Sequence, residues 1–417
     1  MDDVLSKINV VIIGAGPSGA VAAGLLVKKG YQVLVLEKQT FPRFSIGESL
    51  LPQCMKYIEE SGFMDAVQSA GFQHKNGAAF QRRGKHETFS FEEKFTPGWG
   101  TTFQVERSSF DKILIDEAEK SGANVRYQCE VISVNIDETE GNPSVEYQSE
   151  DGTLHTVECQ FILDASGFGR VLPRLLDLEE PSHLPVRRSV FTHITDGIND
   201  ASYDRDKILI TVHPKDEKTW YWLIPFSNGR SSIGVVAEPE WFERYNGSHL
   251  EMLQIAISQD PHLAKLLKNA SFDFPVQQAS GYSCNVKKLC GKNFALLGNA
   301  GEFLDPVFSS GVTIAMHSAS LAVLAVDKQL KGLNVDWDKD YVKPLYLGID
   351  TFRTFVDAWY DGSLQDIIFS DARNTSITEM ISSILAGYAW DETNPYVAKS
   401  RRRIEALAQI CKEGADH

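Results

Sequence analysis

The sequence predicts an α/β protein in which a parallel-sheet domain is interleaved with an antiparallel-sheet domain, followed by a helical C-terminal part. Three observations predict this class. The N-terminus contains an apolar strand, a glycine-rich turn and a helix in close succession, and residues 186–284 contain several strand-like runs. The chain after residue 331 is helical in pattern and rich in aromatic side chains.

The N-terminal segment carries the most specific motif. The apolar run Val10–Ile13 is typical of a buried strand, and Gly14, Gly16 and Gly19 follow it in G-x-G-x-x-G spacing. A helix and a second strand come next, and Glu37 closes that strand. Strand, glycine triplet, helix, strand and acid occur in the order that a Rossmann-type dinucleotide-binding domain requires.

Each part of the motif suits a bound dinucleotide. The first glycine makes a tight turn, the second lets the backbone approach a pyrophosphate, and the third lets the helix pack on the strand. Pro17 suits the first helical turn, where its missing N–H leaves no bond unmade. The helix N-terminus offers free N–H groups to the phosphates, and Glu37 can accept ribose hydroxyls. The dinucleotide contacts predicted here are Gly14, Gly16, Pro17, Ser18, Gly19, Glu37 and Lys38.

Composition indicates a soluble globular protein of two or three domains. The 417 residues are 43% hydrophobic and 23% charged. The net charge of −15 argues against nucleic acid or an anionic membrane as a general partner.

Targeting and metal signals are not found in the sequence. The six cysteines form no C-x-x-C pair and no zinc spacing, which favours scattered thiols in a reducing compartment and no metal site. The acidic N-terminus has no signal-peptide pattern, and the apolar stretch Ser318–Val326 is too short to cross a bilayer. The sequence therefore predicts a cytoplasmic protein that is not integral to a membrane.

The order of elements divides the chain into three parts. The dinucleotide-binding domain is predicted at 1–75, 100–185 and 285–330, the antiparallel-sheet substrate domain at 76–99 and 186–284, and the C-terminal helical part at 331–417. Within them, Glu130–Asp137 is predicted as a strand and Gly71–Gly77 as turn-like. Ser108 and Asp111 fit a capping box at a helix start.

Two later segments identify the class of dinucleotide. Asp164-Ala165-Ser166-Gly167 and Gly298-Asn299-Ala300-Gly301 each follow a short apolar strand. Together with the N-terminal motif they resemble the FAD-binding fold of the aromatic hydroxylase and glutathione reductase superfamily. That family usually has Asp where this chain has Asn299, whose amide can still hydrogen-bond a ribityl hydroxyl.

Within that superfamily, residues 8–330 resemble the flavin-dependent halogenases. Trp220-Tyr221-Trp222-Leu223-Ile224-Pro225 fits the family's W-x-W-x-I-P signature, although Thr219 stands where Gly is common. The segment 71–77 matches G-F-x-x-K-x-G, which carries that family's active-site lysine, here Lys75. Residues 46–52 and 304–312 resemble segments that line the flavin. The flavin contacts implied in this way are Arg43, Ser49, Arg107, Asp164, Gly167, Gly298, Asn299, Pro306, Ser310, Gly311 and Val312.

The resemblance implies a reaction and a substrate class. Reduced flavin, O2 and halide yield hypohalous acid, and Lys75 either hydrogen-bonds this species or becomes a haloamine that halogenates an aromatic ring. Tryptophan halogenases carry a glutamate where this chain has Phe308, which favours a phenol- or pyrrole-type substrate, free or tethered to a carrier. The simpler alternative for Lys75 is a solvated loop lysine.

The start of the helix after Ser309 is a candidate halide site. The N–H groups of Ser310 and Gly311 could hold a halide or the pyrimidine edge of the flavin, and the two uses are compatible. The alternative is an ordinary helix start that Ser309 caps.

Trp220 and Trp222 alternate on a strand and therefore face the same side. They could wall off the flavin from the substrate, or form a core aromatic pair, and the two interpretations do not exclude each other. Arg43 and Arg107 could equally be surface arginines.

Other functions share most of these segments. The leading hypothesis is an FAD-dependent halogenase, with catalytic residues Lys75, Trp220 and Trp222. A flavin monooxygenase or a lipid reductase related to the geranylgeranyl reductases is an alternative, and a flavin-binding redox sensor without turnover is another. No second G-x-G-x-x-G occurs, which fits a separate reductase as the source of reduced flavin.

Overall fold

The computed structural model describes residues 8–136, 141–371 and 374–415. Four stretches assigned from the sequence lie outside these residues: residues 1–7, residues 137–140, the first of which ended a predicted strand, residues 372–373 and residues 416–417.

Runs of strands are separated by helices up to α9 (Ser310–Leu330), and the chain after it is helical. The strands are β1 (Val10–Ile13), β2 (Val33–Leu36), β3 (Gln73–Lys75), β4 (Gly77–Arg82), β5 (Lys85–Ser90), β6 (Thr102–Gln104), β7 (Asn124–Arg126), β8 (Glu130–Asn135), β9 (Ser144–Gln148), β10 (Leu154–Glu158), β11 (Phe161–Asp164), β12 (Glu179–Pro181), β13 (Arg188–Thr195), β14 (Lys207–His213), β15 (Asp216–Pro225), β16 (Arg230–Ala237), β17 (Gln277–Ser280), β18 (Cys284–Val286) and β19 (Phe294–Leu296). The helices are α1 (Pro17–Lys28), α2 (Gln53–Ser61), α3 (Met64–Ser69), α4 (Arg107–Lys120), α5 (Val171–Leu175), α6 (Pro239–Phe242), α7 (His249–Ser258), α8 (Pro261–Leu266), α9 (Ser310–Leu330), α10 (Lys343–Tyr360), α11 (Ser363–Ile368), α12 (Thr375–Leu385), α13 (Pro395–Ala398) and α14 (Ser400–Ala415).

A parallel sheet forms the first layer, in the order β19-β11-β1-β2-β7. Every neighbouring pair in it is parallel, and β1, β2 and β11 are buried along their whole length, as expected for strands covered on both faces. Helix α1 packs between α4 and α9. The motif residues follow β1, β2, β11 and β19, so this topology brings them together at the carboxyl edge of the sheet.

A seven-stranded sheet forms the second layer, in the order β17-β13-β16-β15-β14-β4-β5. The four strands predicted for one antiparallel sheet, β13, β14, β15 and β16, pair antiparallel, and the pair of β14 with β4 runs parallel. Along β15 the side chains alternate between two cores. Trp220 and Trp222 face the main core, whereas Tyr221 and Leu223 face a second core that α7 and α8 cover.

The C-terminal helices close the main core. Phe355 and Trp359 of α10 contact Phe308 edge to face, with ring centroids 6.2 and 6.0 Å apart. The predicted α/β class is therefore confirmed, with a Rossmann-type sheet, a largely antiparallel sheet and a helical C-terminal part.

Two local predictions were wrong. Part of the segment predicted as turn-like, Gln73–Lys75, is strand β3, which pairs antiparallel with β6. The predicted capping box does not form, because α4 begins after Glu106 without a side-chain cap, and Asp111 instead accepts two hydrogen bonds from Arg107. A buried carboxylate gains more from a bidentate guanidinium than from one backbone N–H.

Helix α9 is longer than the apolar stretch noted in the sequence. Among the described residues it is the one helix whose length and apolar composition would allow it to cross a membrane, and 67% of its most apolar window is buried inside the protein. Such burial is typical of a core helix.

Candidate active site

A cavity of about 590 Å³ lies at the carboxyl edge of the parallel sheet and extends to the face of β15 that carries Trp220 and Trp222. Most predicted site residues line it. These are Gly14, Gly16, Pro17, Ser18, Glu37, Lys38, Arg43, Ser49, Arg107, Gly167, Trp220, Trp222, Asn299, Pro306, Gly311 and Val312. The described residues that were predicted for the site but do not line this cavity are Gly19, Lys75, Asp164, Gly298 and Ser310.

The glycine triplet makes the cradle that the sequence predicts. Gly14 has φ +98°, and a Cβ there would lie 2.6 Å from the carbonyl oxygen of Ala165. A Cβ on Gly19 would lie 2.1 Å from the carbonyl oxygen of Gly14, so this glycine serves helix packing. A Cβ on Gly16 would meet only the Arg43 guanidinium, at 3.5 Å, which leaves the backbone open to the cavity.

The Glu37 carboxylate is held by hydrogen bonds from backbone N–H groups. Its Oε2 accepts a hydrogen bond from the N–H of Ala15 at 2.8 Å, and its Oε1 accepts one from Gln39 at 2.9 Å. These bonds fix the carboxylate at the cavity wall, where its second lone pairs can still accept ribose hydroxyls. Lys38 is exposed and forms an ion pair with Glu130.

Asp164 supports the site from behind and does not line the cavity. Its two carboxylate oxygens accept hydrogen bonds from the backbone N–H groups of Ser166, at 2.9 Å, and Leu172, at 2.6 Å. Burial raises the pKa of this carboxyl, and the backbone N–H groups oppose that rise. The direct cofactor contact expected of Asp164 is therefore replaced by a role in shaping the loop that presents Gly167.

The start of α9 faces the cavity through Gly311 and Val312. Ser309 occupies the N-cap position with φ +56°, but its hydroxyl makes no capping hydrogen bond, so the alternative in which Ser309 caps an ordinary helix start was wrong. Gly298 has φ +51°, and a Cβ there would lie 2.8 Å from the Cβ of Ala315. Gly298 therefore serves the contact between its loop and α9, while Asn299 lines the cavity.

The two predicted arginines converge on one carboxylate. Arg107 donates two hydrogen bonds to Asp111, at 2.6 and 2.8 Å, and Arg43 contacts the same side chain at 3.3 Å. Arg107 also donates to the carbonyl oxygens of Ile46, at 2.8 Å, and Gly47, at 3.3 Å. Neither arginine is simply a surface residue: Arg107 holds the loop beside the cavity, and Arg43 leaves part of its guanidinium facing it.

Trp220 and Trp222 lie side by side, with ring centroids 6.0 Å apart, and both are buried. Trp222 donates to the hydroxyl of Ser232 at 3.0 Å. Trp220 donates to the hydroxyl of Tyr360 at 3.0 Å, and Tyr360 donates to Asp305 at 2.9 Å. This chain of hydrogen bonds fixes Trp220 against the segment that leads into Pro306.

Lys75 is buried, with only 1% of its surface exposed. Its amine donates to the hydroxyl of Ser49 at 2.7 Å and to the carbonyl oxygen of Leu50 at 2.8 Å, and it lies 5.3 Å from the ring centre of Phe91. Burial lowers the pKa of Lys75 to about 7, while the neighbouring Cys54 thiol opposes that change. Ser49 lines the cavity, so the Lys75 amine contacts the cavity wall through this one residue.

Two candidate functional residues were not predicted from the sequence. Glu48 lines the cavity, is 1% exposed, and contacts His193 of β13 at 2.5 Å. Glu48 is the one charged residue in the segment 46–52, which could have signalled a carboxylate with a specific task. Nothing in the strand pattern singles out His193, because its partner is distant in sequence.

FAD fits this arrangement. The glycine cradle leaves room for a pyrophosphate, and the N-terminus of α1 adds free N–H groups. The cavity is of the size that small-molecule sites usually have, and it runs from Glu37 to the start of α9.

Known proteins match most of the chain. A family model for the FAD binding domain matches residues 7–259. A Pseudomonas fluorescens protein named 1H-pyrrole-2-carbonyl-[peptidyl-carrier protein] chlorinase is 31% identical over 84% of this chain and 83% of its own length. A tryptophan 2-halogenase from Chondromyces crocatus is 30% identical over 78% of this chain, and the match spans 62% of that halogenase.

A solved structure has a higher sequence identity to this chain than these two relatives have. The crystal structure of a flavoprotein/dehydrogenase from Cytophaga hutchinsonii is 43% identical and has a TM-score of 0.95, covering 98% of this chain and 100% of its own. The matched domain, the halogenase relatives and the geometry of the cavity agree on cofactor and class. The chain is an FAD-dependent oxidoreductase that belongs to the flavin-dependent halogenase family.

Proposed function

We propose that this enzyme uses reduced FAD, O2 and halide to halogenate an electron-rich aromatic ring of the phenol or pyrrole type, with Lys75 as the residue that carries the oxidised halogen. One observation supports this most strongly. Lys75 is a buried amine with a pKa lowered to about 7, hydrogen-bonded to Ser49 at the wall of the FAD cavity. About half of such an amine is uncharged at neutral pH and therefore nucleophilic.

The chemistry at Lys75 follows from its two protonation states. Bound reduced FAD, together with O2, would supply the oxidising power that converts halide to hypohalous acid. The uncharged amine of Lys75 forms an N–halogen bond as the halogen–oxygen bond breaks, and the amine proton leaves in water. The ring then forms a carbon–halogen bond, the N–halogen bond breaks, and the ring proton returns to nitrogen. In the charged state the ammonium instead donates a hydrogen bond to hypohalous acid.

The side chain at position 308 favours a neutral ring over a free amino acid as the substrate. Phe308 packs edge to face against Phe355 and Trp359, so the surroundings of this position are apolar. A free amino acid held beside Phe308 would lose hydration without gaining a charged partner at this position. The carrier-bound pyrrole in the name of the Pseudomonas relative agrees with such a substrate, and we extend the proposal to carrier-tethered rings.

We assign supporting roles to the other predicted residues. The N–H groups of Ser310 and Gly311 serve a halide or the flavin, and Trp220 and Trp222 separate the flavin from the substrate. A separate reductase supplies the reduced flavin, and the reaction takes place in the cytoplasm, where scattered free thiols are compatible with the redox conditions.

Product analysis tests the proposal. The enzyme is supplied with reduced FAD, O2 and either chloride or bromide, over a panel of phenols and pyrroles. We expect a halogenated product that is lost in Lys75→Ala while FAD remains bound. Lys207→Ala is the matched control, because the Lys207 amine hydrogen-bonds Asn76 beside Lys75 but is paired with Asp204.

A second candidate is a monooxygenase or reductase. It is favoured by the relative named flavoprotein/dehydrogenase and by the two hydrogen bonds that could make Lys75 a purely structural group. A hydroxylated or saturated product whose yield does not depend on Lys75 would establish this second candidate and refute the first.

A further inference from the structure

Glu48 has a carboxylate oxygen without a partner. The side chain is 1% exposed and lines the FAD cavity, and its Oε1 lies 2.5 Å from Nε2 of His193. Among the described residues no group hydrogen-bonds its Oε2. A buried carboxylate oxygen without a donor is costly, so a donor from a bound molecule is the natural partner.

His193 holds this carboxylate in place through a direct side-chain contact. Its ring contacts Phe44, Phe226 and Phe274, with centroid distances of 5.8, 5.2 and 6.2 Å. Burial works to lower the pKa of His193, but the hydrogen bond and charge of Glu48 outweigh it, so the pKa is raised.

Other charged groups surround the pair. Glu106 and Arg230 face His193 with opposite effects on its pKa, and Arg107 faces Glu48. The loop that carries Glu48 lies against the start of α9, because a Cβ on Gly47 would be 3.9 Å from Val312. A carboxylate in this position is far better matched to N–H and O–H donors than to phosphates, which would repel it.

We propose that Glu48 is a flavin-recognition residue whose Oε2 accepts a hydrogen bond from an N–H or O–H group of the isoalloxazine ring or ribityl chain, and that His193 is the positioning residue that aims it. The proposal rests on FAD binding and not on halogenation. It is therefore tested without halide or turnover, and its failure would leave the proposed reaction untouched.

The first experiment measures the FAD dissociation constant of the full chain by fluorescence titration. Glu48→Gln keeps the shape of the side chain and removes the charge, and we expect affinity to fall about tenfold or more, because hydrogen bonds to charged groups are the stronger class. Glu106→Gln is the control, since it removes a charge near His193 without facing the cavity, and its affinity should stay within about threefold of the wild type. Binding by Glu48→Gln within the same threefold would overturn the proposal.

The second experiment separates positioning from folding. In His193→Phe the aromatic packing is kept but the hydrogen bond to Glu48 is lost, so the carboxylate is no longer aimed, whereas His193→Gln keeps a side-chain N–H donor. At a fixed pH the affinity of His193→Phe for FAD should fall about tenfold, and His193→Gln should recover most of that loss. Equal affinity of the wild type and His193→Phe for FAD, or an equal loss in both variants, would overturn the role of His193.

Discussion

Replacing Lys75 by Met tests whether the protein holds this amine uncharged. Met has a similar length but cannot titrate, and it loses the hydrogen bonds to Ser49 and Leu50 at every pH. The two proteins should therefore differ in how their stability depends on pH. Burial lowers the pKa of Lys75 to about 7 in the folded protein, against an ordinary value of 10.5 for lysine.

The sign of the effect follows from proton binding. Between about pH 7 and pH 10 the unfolded chain holds a proton on Lys75 that the folded protein has released, so raising the pH stabilises the wild type. The gain is about 1.3 kcal/mol per pH unit, or about 2.5 kcal/mol between pH 7.5 and pH 9.5. Below pH 7 both states are protonated, and the penalty for burying the charge is constant.

Urea unfolding of both proteins at several pH values measures this difference. The free energy of unfolding of Lys75→Met minus that of the wild type should decrease steadily from pH 7.5 to pH 9.5, because only the wild type gains stability through Lys75. Titration of the groups common to both proteins cancels in this difference. A difference that stays constant over this range would show that Lys75 is not held uncharged, and the proposed nucleophile would lose its physical basis.

Three further substitutions test the geometry of the site. Gly14→Ala places a Cβ 2.6 Å from a carbonyl oxygen at φ +98° and should cost on the order of 1–3 kcal/mol in strain alone. A titration with FAD should show that binding is lost, and a variant that retains wild-type affinity would refute the role of Gly14 in the cradle. Gly234→Ala places a Cβ 2.3 Å from the Trp222 ring, so the ring must move, and an unchanged tryptophan emission spectrum would contradict this. Asp164→Asn presents an amide N–H to one of two backbone donors, and we expect about 1–3 kcal/mol of lost stability in thermal or urea unfolding, whereas a neutral effect would show that those bonds are dispensable.

Local pattern was sufficient for the parts of the fold that depend on neighbouring residues. The buried strand Val10–Ile13 and the glycines after it have conformations that the backbone alone dictates, so their roles could be inferred from spacing. The alternation that places Trp220 and Trp222 on one face is equally local. The parallel pairing of β14 with β4 could not be inferred, because it depends on how distant segments come together.

The site was harder to infer than the fold because its side chains are shared between distant segments. Asp111 was assigned to a helix cap from its spacing, yet in the folded protein its carboxylate accepts hydrogen bonds from Arg107 and Arg43 instead. Asp164 was expected to contact the cofactor, but it satisfies its own loop. The Glu48–His193 contact joins residues that are 145 apart in sequence, and no local pattern predicts it.

The fate of the oxidised halogen in Lys75→Ala tests the central claim most directly. The enzyme is given reduced FAD, O2, bromide, an aromatic substrate and a small diffusible scavenger of hypohalous acid. If Lys75 carries the halogen to the ring, Lys75→Ala will consume O2 and brominate the scavenger but leave the substrate unmodified, whereas the wild type brominates the substrate. Equal bromination of the substrate by both proteins would contradict the account.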